Sequence, residues 1–502
     1  MKILRVLAIL AAGSVASLVR ADAPFAVTYE GNVAMVTRDG VTLRADIFRP
    51  KADGKFPVLL ERTPYNKYSN IDTGLKGAAR GYVVILQDVR GRNASEGEWY
   101  PFKHEQADGY DAVEWAAALP YSDGKVGMIG GSYVGATQML AAIAAPPHLV
   151  GIYPVVTASD YHSHWAYQGG AFAQMLAQAW SSALSVDVLQ KRTGGSAAPA
   201  HWDYMRPPSL YPVIDPGTAA GVADYYFDWI AHPAYDDYWK QWSIEGHFSQ
   251  IKVPVLSVGA WYDLFQDGSI RNYVGLREHA GTEASRKGQR LVIIPGGHAG
   301  FDRKVGEVDF GKDSVFDIDQ TMFRWYDHLM KGVDNGIDRE KPVRIFVMGI
   351  NAWRDEDAWP LARARETPFY LHSAGKANSA AGDGALSGLA PGVEPPDTYV
   401  CDPAKPVPSL GGGLLGDNGS YPPGPLDQRK VESRQDVLVY TTAPLASDTE
   451  VTGPVSLDLF IRSSAADTDF TGKLVDVAPD GTAINLTDGI LRARYRNSME
   501  KA

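Results

Sequence analysis

From residue 27 the chain alternates apolar and polar positions (VTYEGNVAMVTRDGVTLRADIFRP, 27–50), with Asp39-Gly40 between two runs, and this predicts an antiparallel hairpin. The texture then changes. FPVLLER (56–62), GYVVILQD (81–88), KVGMIGG (125–131), VGIYPVV (150–156), VPVLSVGA (253–260) and RLVIIPGG (290–297) are short, continuous, β-branched-rich runs, as expected of strands buried on both faces of a parallel sheet. Helix-forming stretches such as DGYDAVEWAAALP (108–120) lie between them, so the alternation predicts an α/β doubly wound sheet. Residues 157–250 interrupt the series. They lack strand runs and are crowded with Trp, Tyr and His (HSHWAYQGGAF, MLAQAWSSAL, HPAYDDYWKQW), which reads as a helical cap inserted over the ligand-binding end of the sheet. At VRIFVMGI (343–350) short alternating strands begin, and VLVYTTAPL, VSLDLFIRSS and GKLVDVAPDGTAINLTDG follow a Pro/Gly-rich stretch. The expected domains are therefore 24–156 and 251–340 for the sheet, 157–250 for the cap and 341–502 for a β-sandwich.

The first residues bear on compartment. Lys2 and Arg5 precede an apolar stretch from Val6 to Val19, with small residues at Ala21 and Ala23 before Pro24, so residues 1–23 read as a secretory signal peptide. The stretch is shorter than the roughly 20 residues a membrane span needs, so no stable membrane anchor is expected and a secreted or periplasmic protein is. Across 502 residues, 45% are hydrophobic and 21% charged, which excludes disorder as the main description. A net charge of -11 has the wrong sign for a nucleic-acid partner. The single cysteine, Cys401, closes no intrachain disulfide, and no Cys/His cluster has metal spacing, so no metal site is expected.

Candidate chemistry centres on KVGMIGGSYVG (125–135), an apolar strand, a small-residue turn and a helix former in ATQMLAAIAA. A serine at such a corner exposes its hydroxyl above the sheet, and the following helix N-terminus favours developing negative charge. The pattern is G-x-S-x-x-G, with Gly135 one place later than in the usual hydrolase elbow, and a nucleotide-binding loop or plain packing also suits it. A base and an orienting carboxylate decide between these readings. His298 follows RLVIIPGG directly, and Asp263 follows VPVLSVGA in WYD, with Asp267 its nearest rival. The order Ser132, Asp263, His298 is that of the α/β-hydrolase arrangement. One oxyanion donor comes with the elbow, the Tyr133 backbone N–H; Tyr65, just past FPVLLER, is positioned for the second, with a half-buried structural tyrosine as the alternative. Trp165, Tyr167, Phe172 and Trp180 are the aromatic candidates for an acyl pocket.

TPYNKY, QDVRGRNASEGEW (87–99), GGSYVG, HPAYDDYW (232–239), GAWYD (259–263), GGH (296–298) and VMGINAWRDEDAWP (347–360) together resemble the cocaine esterase and Xaa-Pro dipeptidyl-peptidase group of serine hydrolases. The resemblance covers nearly all of the chain after residue 23. It implies Ser132, Asp263 and His298 as the triad, the Tyr65 hydroxyl and Tyr133 amide as the oxyanion hole, no cofactor, and a jelly-roll-like second domain. It also accounts for the late glycine. The related α-amino acid ester hydrolases carry acids close behind the triad aspartate, where this chain has Leu264 and Phe265; Asp160 is the carboxylate left to compensate. Small ester or amide substrates are thus expected, with an Xaa-Pro exopeptidase as the alternative and a secreted binding protein with a vestigial triad as the remaining one. Relatives of this kind carry further strands after a segment like GILRARYR (489–496), so the β domain is expected to be short of several strands, either truncated or borrowing an edge in a homo-oligomer.

Overall fold

The computed structural model describes residues 24–194, 222–416 and 422–502; residues 1–23, expected to be a signal peptide, lie outside the described residues. Ten strands form one sheet. In chain order they are β1 (Val27–Val36), β2 (Thr42–Pro50), β3 (Phe56–Thr63), β4 (Val83–Asp88), β5 (Ser122–Gly131), β6 (Leu149–Val155), β7 (Leu256–Tyr262), β8 (Arg290–Gly297), β9 (Val343–Val347) and β10 (Ala352–Glu356). The spatial order is β1-β2-β4-β3-β5-β6-β7-β8-β9-β10. From β4 to β9 neighbours run parallel, and the β1–β2 hairpin and β10 close the two edges antiparallel.

The continuous apolar runs serve two cores at once. Val58 and Leu60 of β3 and Val83 and Ile85 of β4 point into one, while Leu59, Val84 and Leu86 point into the other. Helices α2 (Glu105–Ala117) and α3 (Tyr133–Ile143) cover the first face, and α1 (Ile71–Ala79) and α7 (Ile318–Lys331) the second. Helix α7 buries Met322, Phe323, Trp325, Tyr326 and Met330, the three- and four-residue spacing of an amphipathic helix. Tyr326 bonds through its hydroxyl to the carbonyls of Met128 (2.5 Å) and Gly151 (3.2 Å), beneath the strand that leads to Ser132. Gly127 makes room for that ring, since a Cβ there would sit 2.2 Å from Tyr326 Cε1.

The cap holds α4 (Gln174–Thr193) and α5 (Asp224–Ala231), and α6 (Gln266–His279) follows β7. One expectation is refined and one corrected. The strands of VRIFVMGI and the segment after it do not stand in a separate sheet: β9 pairs parallel with β8, and β10 pairs with β9, so both extend the central sheet. The reason is burial, because Val343, Ile345 and Phe346 cover an edge of β8 that would otherwise stay unpaired. In the separate C-terminal domain, the runs at 437–445 and 455–464 do not form ladders. The first carries only isolated bridges at Leu438 and Thr441, and in the second Val455, Leu457, Leu459, Phe460 and Ile461 are exposed and form no ladder with any other described residues. The regular pairing there is Tyr370–His372 with Ala385–Ser387 and the hairpin Asp469–Val477 with Ala483–Arg492. That hairpin leans on the cap, where Arg492 N–H donates to the Gly169 carbonyl (2.8 Å), and on β7, whose Tyr262 hydroxyl donates to the Asn485 carbonyl (3.1 Å).

Replacing Gly127 by Ala should destabilise the protein by about 1–3 kcal/mol through overpacking against Tyr326, read as a lowered thermal midpoint. An unchanged midpoint would show that the ring has slack the packing does not suggest.

Candidate active site

Ser132 caps the corner between β5 and α3 with φ 61° and ψ -126°, a conformation an ordinary L-residue avoids. Several contacts impose it. Ser132 N–H donates to the Val155 carbonyl of β6 (2.9 Å), and the Thr157 hydroxyl donates to the Ser132 carbonyl (2.8 Å). Gly130 has φ 122°, and a Cβ on it would lie 2.2 Å from Val134, the residue standing where the usual elbow has its second glycine. Gly135, one place later, is needed instead against Thr157, 2.7 Å from its would-be Cβ. The displaced glycine thus follows from which helix face meets the loop after β6.

Two further strand ends converge on the serine. Asp263 sits in the tight turn after β7, its side chain sealed from solvent, and His298 follows β8. His298 Nδ1 lies 2.7 Å from Asp263 Oδ1, and His298 Nε2 lies 2.9 Å from Ser132 Oγ. The imidazole is braced on its side by Phe265, edge-on at 5.1 Å, which in turn stacks on Trp165 at 4.6 Å. Asp267 faces elsewhere, accepting from Arg271 (2.7 Å) and meeting His164 Nε2 at 2.8 Å. This chain of bonds can remove the Oγ proton and hold the resulting imidazolium.

The two candidate donors both adjoin the serine, Tyr133 as the next residue and Tyr65 through its hydroxyl. As the first residue of α3, Tyr133 has no carbonyl a turn behind it to occupy its N–H. Its ring is fixed from below: the hydroxyl donates to Glu105 Oε1 (3.1 Å) and accepts from Phe102 N–H (2.8 Å), while Glu105 Oε2 meets the buried Arg62 guanidinium at 2.6 Å. Burial raises the Glu105 carboxyl's pKa, and the Arg62 charge pulls against it. Tyr65 lies in the loop after β3 and is 38% exposed, toward the cleft. Its hydroxyl accepts from Trp180 Nε1 (3.1 Å) and lies within hydrogen-bonding reach of the Ser132 side chain, which sets a phenolic O–H beside the serine. Asn70, closing that loop, donates to both carboxylate oxygens of Glu61 at 2.8 Å, and Glu61 lies under Gly130. Desolvation pushes the Glu61 carboxyl up to about 7.

Of the aromatic candidates, Trp165 and Trp180 are brought to the site. Trp165 reaches it through Phe265, and Trp180 stacks on Tyr133 at 5.8 Å and bonds Tyr65. Tyr167 and Phe172 do not touch the residues around Ser132: Tyr167 donates to the Trp229 carbonyl (2.8 Å), stacks on His162 and lines a neighbouring cavity with Trp165 and Leu264, and Phe172 packs against Tyr167 and Tyr226. Phe265, Phe102 and Trp99 belong to the aromatic wall and escaped the sequence reading. Phe265 carried the only usable signal, adjacency to the carboxylate turn. Among the described residues no group of His, Cys, Asp and Glu is placed to hold a metal ion.

Residues 39–300 match the family model of the X-Pro dipeptidyl-peptidase (S15 family), and residues 335–502 match the X-Pro dipeptidyl-peptidase C-terminal non-catalytic domain. Cocaine esterase of Rhodococcus sp. (strain MB1 Bresler) is 38% identical over 93% of this chain and 83% of its own length. The chain belongs to the S15 family. Among solved structures, this S15 chain is similar to an aminopeptidase from the marine sediment archaeon Thaumarchaeota archaeon, with TM-score 0.76 and 26% identity over 95% of this chain and 84% of that one. An α-amino acid ester hydrolase shares the fold, with TM-score 0.73 and 24% identity over 96% and 84% of the two chains. Like its curated relatives, this S15 protein is a serine hydrolase.

The raised Glu61 pKa makes a testable statement about pH. Between pH 4.5 and about 7 the folded state holds a proton that the unfolded chain has released, so stability falls as pH rises through that window. Glu61→Gln keeps an acceptor for Asn70 and should remove that slope, a difference of up to about 3 kcal/mol between the two pH values in urea unfolding. Parallel pH profiles for the two proteins would rule out Glu61 as the source.

Proposed function

We propose that this serine hydrolase cleaves esters of small acyl groups, with Ser132 as nucleophile, His298 as base and then acid, and Asp263 fixing the imidazole. What carries the reading is the unbroken chain of Ser132 Oγ, His298 Nε2 and Nδ1, and Asp263 Oδ1 at 2.9 and 2.7 Å. Oγ attacks the ester carbonyl as its proton passes to Nε2, and the imidazolium so formed is held by Asp263. The carbonyl oxygen, now negative, takes the Tyr65 hydroxyl and Tyr133 amide as donors. His298 protonates the departing alkoxide, leaving an acyl group on Ser132. Water, deprotonated by the same nitrogen, attacks it and releases the acid. The wall of Trp165, Trp180 and Phe265 suits an apolar acyl chain.

The second reading, release of Xaa-Pro dipeptides, needs a carboxylate free to hold the substrate's ammonium. A cavity of about 450 Å³ beside Trp165 and Leu264 does contain Asp160, Glu245 and Asp267. Two of the three are already paired with cations: Asp267 with His164 and Arg271, and Glu245 with Arg271 as well as the Ser159 hydroxyl. Asp160 Oδ1 accepts from the His162 and Ser163 amides, while its Oδ2 is buried without a hydrogen-bond partner, which leaves it as the one carboxylate open to an ammonium. A single such acid where the others are paired supports esters as the main reading and keeps the exopeptidase as the second. Export is part of the proposal and rests on the signal-like residues 1–23; no helix among the described residues is long and apolar enough to cross a membrane.

A fluorophosphonate probe should label the protein once, and Ser132→Ala should abolish labelling and lower kcat by about 10⁴–10⁶. Labelling that survives the substitution would sink the assignment. On a panel of aryl esters and Ala-Pro-anilide, kcat/KM should be higher for the esters; the reverse order would establish the exopeptidase reading.

A further inference from the structure

Arg92 lies in the loop after β4, its side chain only 4% accessible, on the same edge of the sheet as the serine. Its Nε donates to the carbonyl of Pro64 (2.9 Å), the residue before Tyr65. Its Nη1 donates to the carbonyl of Leu184 (2.5 Å), in α4 one turn beyond Trp180. Trp180 is the residue whose indole N–H bonds the Tyr65 hydroxyl. One planar guanidinium therefore ties the chain that carries the phenol to the helix that carries its orienting donor.

The same group reaches the other side of the site. Its central carbon lies 5.4 Å from the centroid of the Trp99 ring, and that ring packs 5.4 Å from the ring of Tyr133. Its charge is only loosely matched. Asp187 Oδ2 approaches Nη1 no closer than 3.6 Å and instead accepts the Asn93 N–H at 2.8 Å. A cation that costs several kcal/mol to bury and meets mainly carbonyl oxygens is an uneconomical way to tie a loop to a helix. It is well placed to act where negative charge develops in the reaction.

We propose that Arg92 is a positioning residue for the oxyanion hole: it sets the Tyr65 hydroxyl in register with the Tyr133 amide and, as a buried cation, strengthens Tyr65 as a donor in the transition state. The proposal rests on the role given to Tyr65 in the ester-hydrolase reading. The electrostatics agree. Desolvation raises the Tyr65 phenol's pKa, and the hydrogen bonds with Trp180 and Ser132 and the Arg92 charge all oppose that rise. Lysine keeps the charge but lacks the fork that spans two carbonyls.

The test is a double-mutant cycle on the full chain with an aryl ester, following kcat, KM and fluorophosphonate labelling of Ser132. Tyr65→Phe should lower kcat by about 10²–10³, the loss seen when one oxyanion donor is removed. Arg92→Lys should lower kcat and kcat/KM together by roughly 10–100-fold with KM within about twofold, the pattern of an interaction made only in the transition state. The double variant should be no worse than Tyr65→Phe by more than about threefold, since Arg92 then has no donor left to act through. Losses that multiply in the double variant, or an Arg92→Lys protein with wild-type kcat, would overturn the proposal. If Arg92→Lys does not fold, Asp187→Asn serves in its place: removing the partial counter-charge should raise kcat about twofold or more, and only when Tyr65 is present. No rise, or the same rise in the Tyr65→Phe background, would equally overturn it. Absence of fluorophosphonate labelling in the unmutated protein would instead bring down the hydrolase reading itself.

Discussion

A serine held at φ 61° is a local defect that the surrounding structure has to enforce, at a cost of order 1–3 kcal/mol. Its surroundings look like answers to that constraint. Gly130 and Gly135 remove side chains where Val134 and Thr157 press in, β6 accepts the Ser132 amide, and Tyr326 clamps the carbonyls of Met128 and Gly151 under the same strand. Rigidity at this corner makes the 2.9 Å approach of His298 meaningful, since a nucleophile on a mobile loop would sample it only briefly.

The constraint spreads outward through buried polar groups. Loops that deliver functional side chains lack ladder bonds of their own, and unpaired polar atoms inside a protein are costly, so side chains supply the missing partners. Arg62 and Glu105 hold the Tyr133 ring, Glu61 holds the loop of Tyr65 through Asn70, and Arg92 holds it through Pro64. Each lies on or just after β3 or β4, or at the start of α2. The ends of those parallel strands and the helix behind them thus form a polar foundation under an otherwise aromatic site.

Much of this site is legible in the amino-acid order, because a strand end is a local feature. Ser132, Asp263 and His298 each follow an apolar run by a few residues, and the topology of a parallel sheet brings such ends to one edge. The pocket is less legible. Trp165, Tyr167, Phe172 and Trp180 look alike as aromatic residues of the cap, yet only Trp165 and Trp180 touch the residues around Ser132, which depends on how the helical turn at His162–Ala166 and α4 are rotated. The buried charges were invisible for a related reason. Nothing in the local sequence marks Arg92 or Glu105 as buried; Arg92 is enclosed by contact with Leu184 of the cap and Glu105 by Arg62 and Tyr133.

The sequence by itself determined the parallel sheet, the helical segment between β6 and β7 and the strand-end places of Ser132, Asp263 and His298, because hydrophobic period and turn chemistry act over a few residues. Only the tertiary structure decided where the sheet ends, since β9 and the apolar run at 455–461 have similar local patterns, yet β9 meets a strand edge and the run forms no ladder with the described residues. A strand is defined by the edge it meets. The same holds for Tyr65: its hydroxyl is oriented by the indole N–H of Trp180, more than a hundred residues later, a contact that no local pattern in the sequence announces.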